Sequence, residues 1–289
     1  MLCRPWHWTK NAFVLAPLLF GPTEWSLPNL LSASLAAVCF CLWSSGVYAV
    51  NDVLDKASDM QHPRKRHRPV AAGRISIPLA LGIAAALIGL GTAIAVVFLP
   101  QRVPVYGMAY LTNSLGYCLL LRRLVIVDVM SIAIGFVLRL LTGCAAISVY
   151  ASAWLMICGF ALAMMLGFGK RRLEIDAVEI PGDHRSSLAT YDVGKLNMLL
   201  SITAGVCLTA YMLYTVSATT IEAHGTDHLI YTVPFVAYGI FRYIFEVQEG
   251  RHDGPVEVLL KDPVFALNSV LWILAALAIL RVYGNLSAR

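Results

Sequence analysis

Asn51-Asp52-Val53-Leu54-Asp55-Lys56-Ala57-Ser58-Asp59 closes an apolar run that covers residues 29–50. Such a run is long enough to cross a hydrocarbon core of about 30 Å, which takes about 20 apolar residues in a helix. If the helix continues through the acidic stretch, Asp52, Asp55 and Asp59 stand at i, i+3 and i+7 and share one face. Three carboxylates at the mouth of a membrane helix repel one another, a costly arrangement unless something positive binds there. A hard, oxygen-seeking cation such as Mg²⁺, itself bound to a diphosphate, fits the need. The alternative is a solvated acidic helix end paired with the nearby arginines.

The rest of the chain repeats the membrane signal. Of its 289 residues, 58% are hydrophobic and 13% charged, against about 45–50% and about 25% in soluble domains. Nine candidate spans lie near 11–22, 29–50, 77–99, 103–121, 124–147, 152–169, 196–219, 228–246 and 263–283. The first is short and interrupted by Pro17, and the break between 103–121 and 124–147 rests on Arg122-Arg123 alone. With the N-terminus inside, 18 of the 22 Lys and Arg residues fall in cytoplasmic segments, which sets the orientation. Only Arg102, Arg281 and Arg289 fall outside, and Arg139 lies within a span. Residues 1–10 and the run after them lack a convincing cleavage site, so a retained first helix is expected. The seven cysteines lack zinc-like spacing and read as small apolar packing residues. Basic residues spread over membrane-proximal loops exclude a nucleic-acid binder despite the net charge of +5.

Directly after the aspartates comes His62-Pro63-Arg64-Lys65-Arg66-His67-Arg68-Pro69. Such a cluster either holds anionic headgroups or grips phosphate, where Arg offers a bidentate fork. The preceding carboxylates favour phosphate. His62 and His67 read as loop histidines rather than metal ligands. Arg139 sits well inside the fifth run, where a charge is expensive. It either faces a cavity and binds phosphate or pairs with an acid.

Asn51-Asp52-x-x-Asp55-x-x-x-Asp59, followed by Pro63-Arg64-Lys65-Arg66, resembles the first signature of the UbiA superfamily of membrane prenyltransferases. The opening Arg4-Pro5-Trp6-His7-Trp8-Thr9-Lys10-Asn11 resembles the start of its decaprenyl-phosphate phosphoribosyltransferase branch. Phe241-Arg242-Tyr243 and the stretch from Pro255 through Glu257 and Leu260 to Asp262 are similar to that branch's last cytoplasmic loop. Gly169-Lys170-Arg171-Arg172-Leu173-Glu174 is similar to its Gly-Lys-Arg-x-x-Glu pattern. In the 117–128 loop, Tyr117 and Asp128 fall in register with the branch, but Arg122 stands where a lysine is expected. Aromatic prenyltransferases of the superfamily carry a second aspartate-rich motif at this loop; here Asp128 stands alone.

The resemblance implies an all-α, polytopic bundle of about nine transmembrane helices, with one UbiA-like transferase domain over 1–289. Its active-site loops, 51–76, 117–128, 170–195 and 242–262, would face the cytoplasm from the cell (inner) membrane. The implied activity is Mg²⁺-dependent transfer of 5-phosphoribosyl from phosphoribosyl diphosphate to a polyprenyl (decaprenyl-like) phosphate, releasing pyrophosphate, in a cell-envelope context. Asp52, Asp55, Asp59 and Asp128 are the expected catalytic residues, the first three as metal ligands. Lys10, Asn51, Arg64, Lys65, Arg68, Tyr117, Arg122, Arg139, Lys170 and Arg171 are the expected substrate-binding residues. Lys170 and Arg171 read equally as positive-inside anchors, and a homo-oligomer stays open. The alternative is a prenyltransferase joining a prenyl diphosphate to an aromatic or other small acceptor. A transporter would place its charges near the bilayer midplane, whereas these gather at one face.

Overall fold

All regular structure described is helical. The computed structural model describes residues 2–21, 23, 25–63, 65–176, 191–250, 257–258 and 261–283. A 3-10 segment, Pro5–Leu15, leads into α1 (Ala16–Phe20). There follow α2 (Leu27–Leu54), α3 (Lys56–Gln61), α4 (Ile77–Phe98), α5 (Arg102–Leu119) and α6 (Val127–Ala146). Then come α7 (Ala153–Asp176), α8 (Val193–Val216), α9 (Ala218–His224), α10 (Val233–Glu249) and α11 (Pro263–Ala278). Several starts are written in the sequence as caps. Ser26 and Ser76 accept from the N–H groups of Asn29 and Leu79 ahead of Pro28 and Pro78. Asp192 and Asp262 do the same for Lys195 and Val264.

Among the described residues, seven helices are long and apolar enough to span a membrane, so the chain is a multi-pass membrane protein. The 18-residue α5 is an eighth long helix. The expected first span is the difference: residues 11–20 form the end of the 3-10 segment and the five-residue α1, and this stretch is not among the seven. Nine is therefore an approximate count. The break expected at Arg122-Arg123 is present, between Leu119 and Val127.

The chain divides into two compact units. The first comprises residues 1–18, 23–121 and 135–151. Its core forms around Trp43 of α2, which is fully buried. The indole lies against Gly107 of α5, where a Cβ would overlap the ring, and against Gly91 of α4. Small residues thus admit a large aromatic where helices approach closely. Its N–H donates to Thr92 Oγ1 at 3.2 Å, and Phe40 stacks between Trp43 and Tyr110. Leu79, Leu90, Val96, Val97 and Phe98 of α4 remain exposed, as lipid-facing side chains should.

The second unit comprises residues 19–22, 122–134 and 152–289. Here α7 packs along α8, and α10 contacts α7, α8 and α11. Tyr243 of α10 is buried against Gly169 of α7, where any Cβ would strike the phenol. The Tyr243 hydroxyl donates to the Leu166 carbonyl at 3.3 Å. Gly169 and Tyr243 come from two separate sequence motifs, which meet as one packing contact.

Candidate active site

The helix carrying the acidic stretch does not run straight through it. α2 ends at Leu54, Asp55 has φ −89° and ψ 0°, and α3 resumes at Lys56. This break separates the three carboxylates into two environments. Asp52 and Asp59 are buried, and Arg68 bridges them, with Nη1 2.7 Å from Asp59 Oδ2 and 3.6 Å from Asp52 Oδ1. Arg4, from the head of the chain, pairs with Asp52 Oδ1. Asp55 instead accepts from Asn51 Nδ2 at 2.9 Å. Two arginines thus supply the positive charge that the aspartates require.

One atom in this cluster is left over. Asp52 Oδ2 is buried and finds no hydrogen-bond partner among the described residues, a state that ordinarily costs about 1–3 kcal/mol or more for a charged group. Among the described residues, no three His, Cys, Asp or Glu side chains converge as a metal cage. Mg²⁺ seldom uses an all-protein cage; it keeps waters and takes one or two carboxylates together with substrate phosphates. A hard oxygen donor set with an unmatched carboxylate oxygen therefore fits Mg²⁺ arriving with a diphosphate.

The N-terminal segment is laced along α2 toward this cluster. Trp8 Nε1 donates to Ser45 Oγ, which donates to the Cys3 carbonyl, both at 3.1 Å. Asn11 Nδ2 donates to Ser44 Oγ at 3.2 Å, and its Oδ1 accepts from Arg139 Nε at 2.9 Å. Arg139 is buried. Its other donors go to the Gly135 carbonyl at 2.8 Å and the Tyr110 hydroxyl at 3.2 Å. The rings of Phe40, Tyr110 and Phe136 surround the guanidinium, with centroids 4.8–5.4 Å away, a cation–π setting. Of the two alternatives, an acid partner is absent among the described residues, and neutral oxygens and aromatic faces surround the guanidinium.

The second unit holds a cluster of different character. Asp128, on the first turn of α6, is fully buried. Its Oδ2 pairs with Arg171 Nε at 2.8 Å and its Oδ1 accepts from the Tyr191 hydroxyl at 3.2 Å. Arg171, buried on α7, also holds Glu174 at 2.5 Å. Tyr191 accepts in turn from the Ile126 N–H at 2.6 Å. Burial pushes the Tyr191 hydroxyl up to about 12, so it remains a protonated donor. Ile126 has φ +68°, a left-handed conformation that costs a β-branched residue about 1–3 kcal/mol.

Other candidates fall as follows. Lys10 is half-buried on the 3-10 segment, and Lys65 opens the turn Lys65–His67, its N–H donating to His62 Nδ1 at 3.3 Å. Tyr117 packs against the first core, and Arg122 lies in the 3-10 turn Leu121–Arg123. Lys170 is partly exposed, 3.7 Å from Glu174. Arg64 lies outside the described residues. In the tail motif, Arg242 clamps Asp262 and the buried Glu246, each at 2.7 Å. Burial alone would raise the Asp262 carboxyl, but Arg242 and the N–H groups of Phe265 and Val264 hold it below its usual range. Arg4 and Tyr191 were missed as site residues. Arg4 was legible only as part of the opening motif, and Tyr191 carried no signal.

The model of the UbiA prenyltransferase family matches residues 12–270. The chain is 32% identical to the decaprenyl-phosphate phosphoribosyltransferase of Corynebacterium glutamicum, over 93% of this chain and 82% of that one. It is also 32% identical to the enzyme of that name from Mycobacterium tuberculosis, over 93% and 90%. A UbiA homologue from Archaeoglobus fulgidus bound to GPP and Mg²⁺ superposes with a TM-score of 0.74. That structure is 18% identical, with 96% of this chain and 98% of that one covered.

Proposed function

The chain belongs to the UbiA prenyltransferase family, as a membrane transferase, and from that premise we propose that it moves phosphoribosyl from phosphoribosyl diphosphate to a polyprenyl phosphate. The observation that carries this reading is the state of Asp128. A prenyl-diphosphate enzyme of the expected type needs a second aspartate-rich cluster at this loop. Here the single aspartate is consumed by Arg171 and Tyr191, which leaves Asp52, Asp55 and Asp59 as the acidic cluster for a diphosphate-bound metal. The name shared by the two curated relatives supports the same substrates.

In the reaction, the bond from the anomeric carbon to the diphosphate breaks, an acceptor phosphate oxygen bonds to that carbon, and pyrophosphate leaves. The transition state has oxocarbenium character, as in glycosidic cleavage. Mg²⁺, when bound with the donor, supplies Lewis-acid stabilisation of the leaving pyrophosphate. Asp52, with its unmatched oxygen, and the neighbouring Asp55 and Asp59 would hold it. Arg68 and the Lys65 turn neutralise the remaining diphosphate charge. Arg139, compensated among the described residues by neutral groups, adds positive charge to the first unit. The acceptor monoester is mostly ionised near pH 7, with a second pKa of about 6, so it needs positioning by Arg122, Lys170 and their neighbours more than a general base. We place the site at the cytoplasmic face of the cell membrane, with the N-terminus inside.

The test is transfer of label from phosphoribosyl diphosphate into the lipid phase by purified protein with polyprenyl phosphate. Mg²⁺-dependent label that EDTA abolishes is the expected result. No transfer at any chain length, with transfer from a prenyl diphosphate to an aromatic acceptor, would replace this reading with the alternative.

A further inference from the structure

Ile126 is strained without a packing reason. Its side chain is two-fifths exposed, so no core contact forces the left-handed backbone. What that conformation achieves is visible in one bond: it presents the Ile126 N–H to the Tyr191 oxygen at 2.6 Å. Tyr191 is tied down from the other side, since its proton goes to Asp128 Oδ1 and Asp128 is gripped by the buried Arg171. A chain of fixed groups therefore ends on the backbone of the turn that begins at Arg122 and Arg123 and enters α6 at Val127.

We infer that Tyr191 is a positioning residue: by joining Asp128 to the strained Ile126 N–H, it sets the turn that presents Arg122 and Arg123 to a substrate phosphate. This rests on the proposed reading in which that turn receives phosphate. Hydrogen-bonding capacity, not ring bulk, is the property that matters, since both contacts are made by the hydroxyl. Asp128 N–H to the Leu124 carbonyl and Met130 N–H to the Ile126 carbonyl, at 3.0 and 2.9 Å, start α6, and the Tyr191 bond is the one a side chain supplies. Without it the Ile126 backbone can relax, and the two arginines then sample other positions. The remedy is equally specific. Glycine adopts positive φ without steric cost, so Ile126→Gly should let the turn keep its shape without Tyr191.

The test uses the full chain in detergent, with Tyr191→Phe, Ile126→Gly/Tyr191→Phe, and Tyr191→Phe in an Arg122→Ala/Arg123→Ala background. Kinetics with both substrates are paired with calorimetric titration of inorganic phosphate and pyrophosphate in Mg²⁺. Tyr191→Phe is expected to raise the KM for one phosphate substrate about tenfold with kcat changed less, and to weaken the matching anion equally. Ile126→Gly should restore both to within about threefold. In the background lacking the two arginines, Tyr191→Phe should add less than about twofold. Unchanged KM values, a defect that glycine does not relieve, or an equal effect without the arginines would overturn the inference. Absence of anion binding by the parent protein would overturn it too. If the parent binds anion but transfers no phosphoribosyl, the reading of function fails, and the titrations alone decide the role of Tyr191.

Discussion

Two buried aspartates, each paired with arginine, are built to opposite ends. Asp52 is closed in, but its partners are not: Arg4 and Arg68 are 19% and 25% exposed, and Asp52 Oδ2 is unmatched. Asp128 has both oxygens engaged, and its partner Arg171 is only 1% exposed. A pair with partly solvated arginines and a spare oxygen can exchange partners when a ligand arrives. A pair sealed on both sides holds shape, because removing either member strands a buried charge. In the proposed reading, the same residue types thus serve binding in one unit and structure in the other.

This contrast can be broken in order of effect. Asp128→Ala should be the most damaging, destabilising the protein by about 3–5 kcal/mol, read as loss of monodisperse protein and a lowered unfolding midpoint in detergent. A variant that melts like the parent would remove the structural reading of this pair. Asp52→Asn should leave folding intact, because Arg4 and Arg68 can turn to solvent, and cut transfer about a hundredfold. Normal turnover in saturating Mg²⁺ would take the first cluster out of catalysis. Arg4→Gln should raise the KM for the donor about tenfold, the scale of one charge-assisted contact; an unchanged KM would make Arg4 a fastening of the N-terminal segment only. Arg122→Lys should change kcat/KM by less than about threefold if only charge matters there. Complete loss would show that the guanidinium fork is needed.

Much of this was legible in the sequence, and the parts that were not share a cause. Apolar run length announced the spans, and the Arg122-Arg123 charge announced the break before α6. The break at Asp55 was hidden because neither Gly nor Pro marks it. Arg4 and Asp52 are 48 positions apart, Arg171 and Asp128 43, and Tyr191 and Asp128 63. Such pairings depend on how helices fold back, which local pattern does not encode. Arg139 shows the same limit: its depth was evident, but its cage of Asn11, Phe40, Tyr110 and Phe136 comes from four separate segments.

The most direct test of the difference between the clusters is metal binding followed by electron paramagnetic resonance. Mn²⁺ would be titrated with pyrophosphate into the parent protein, Asp52→Asn, and the folded fraction of Asp128→Asn. The account predicts pyrophosphate-dependent Mn²⁺ binding by the parent and by Asp128→Asn, weakened at least about tenfold in Asp52→Asn. Binding kept by Asp52→Asn and lost by folded Asp128→Asn would contradict it.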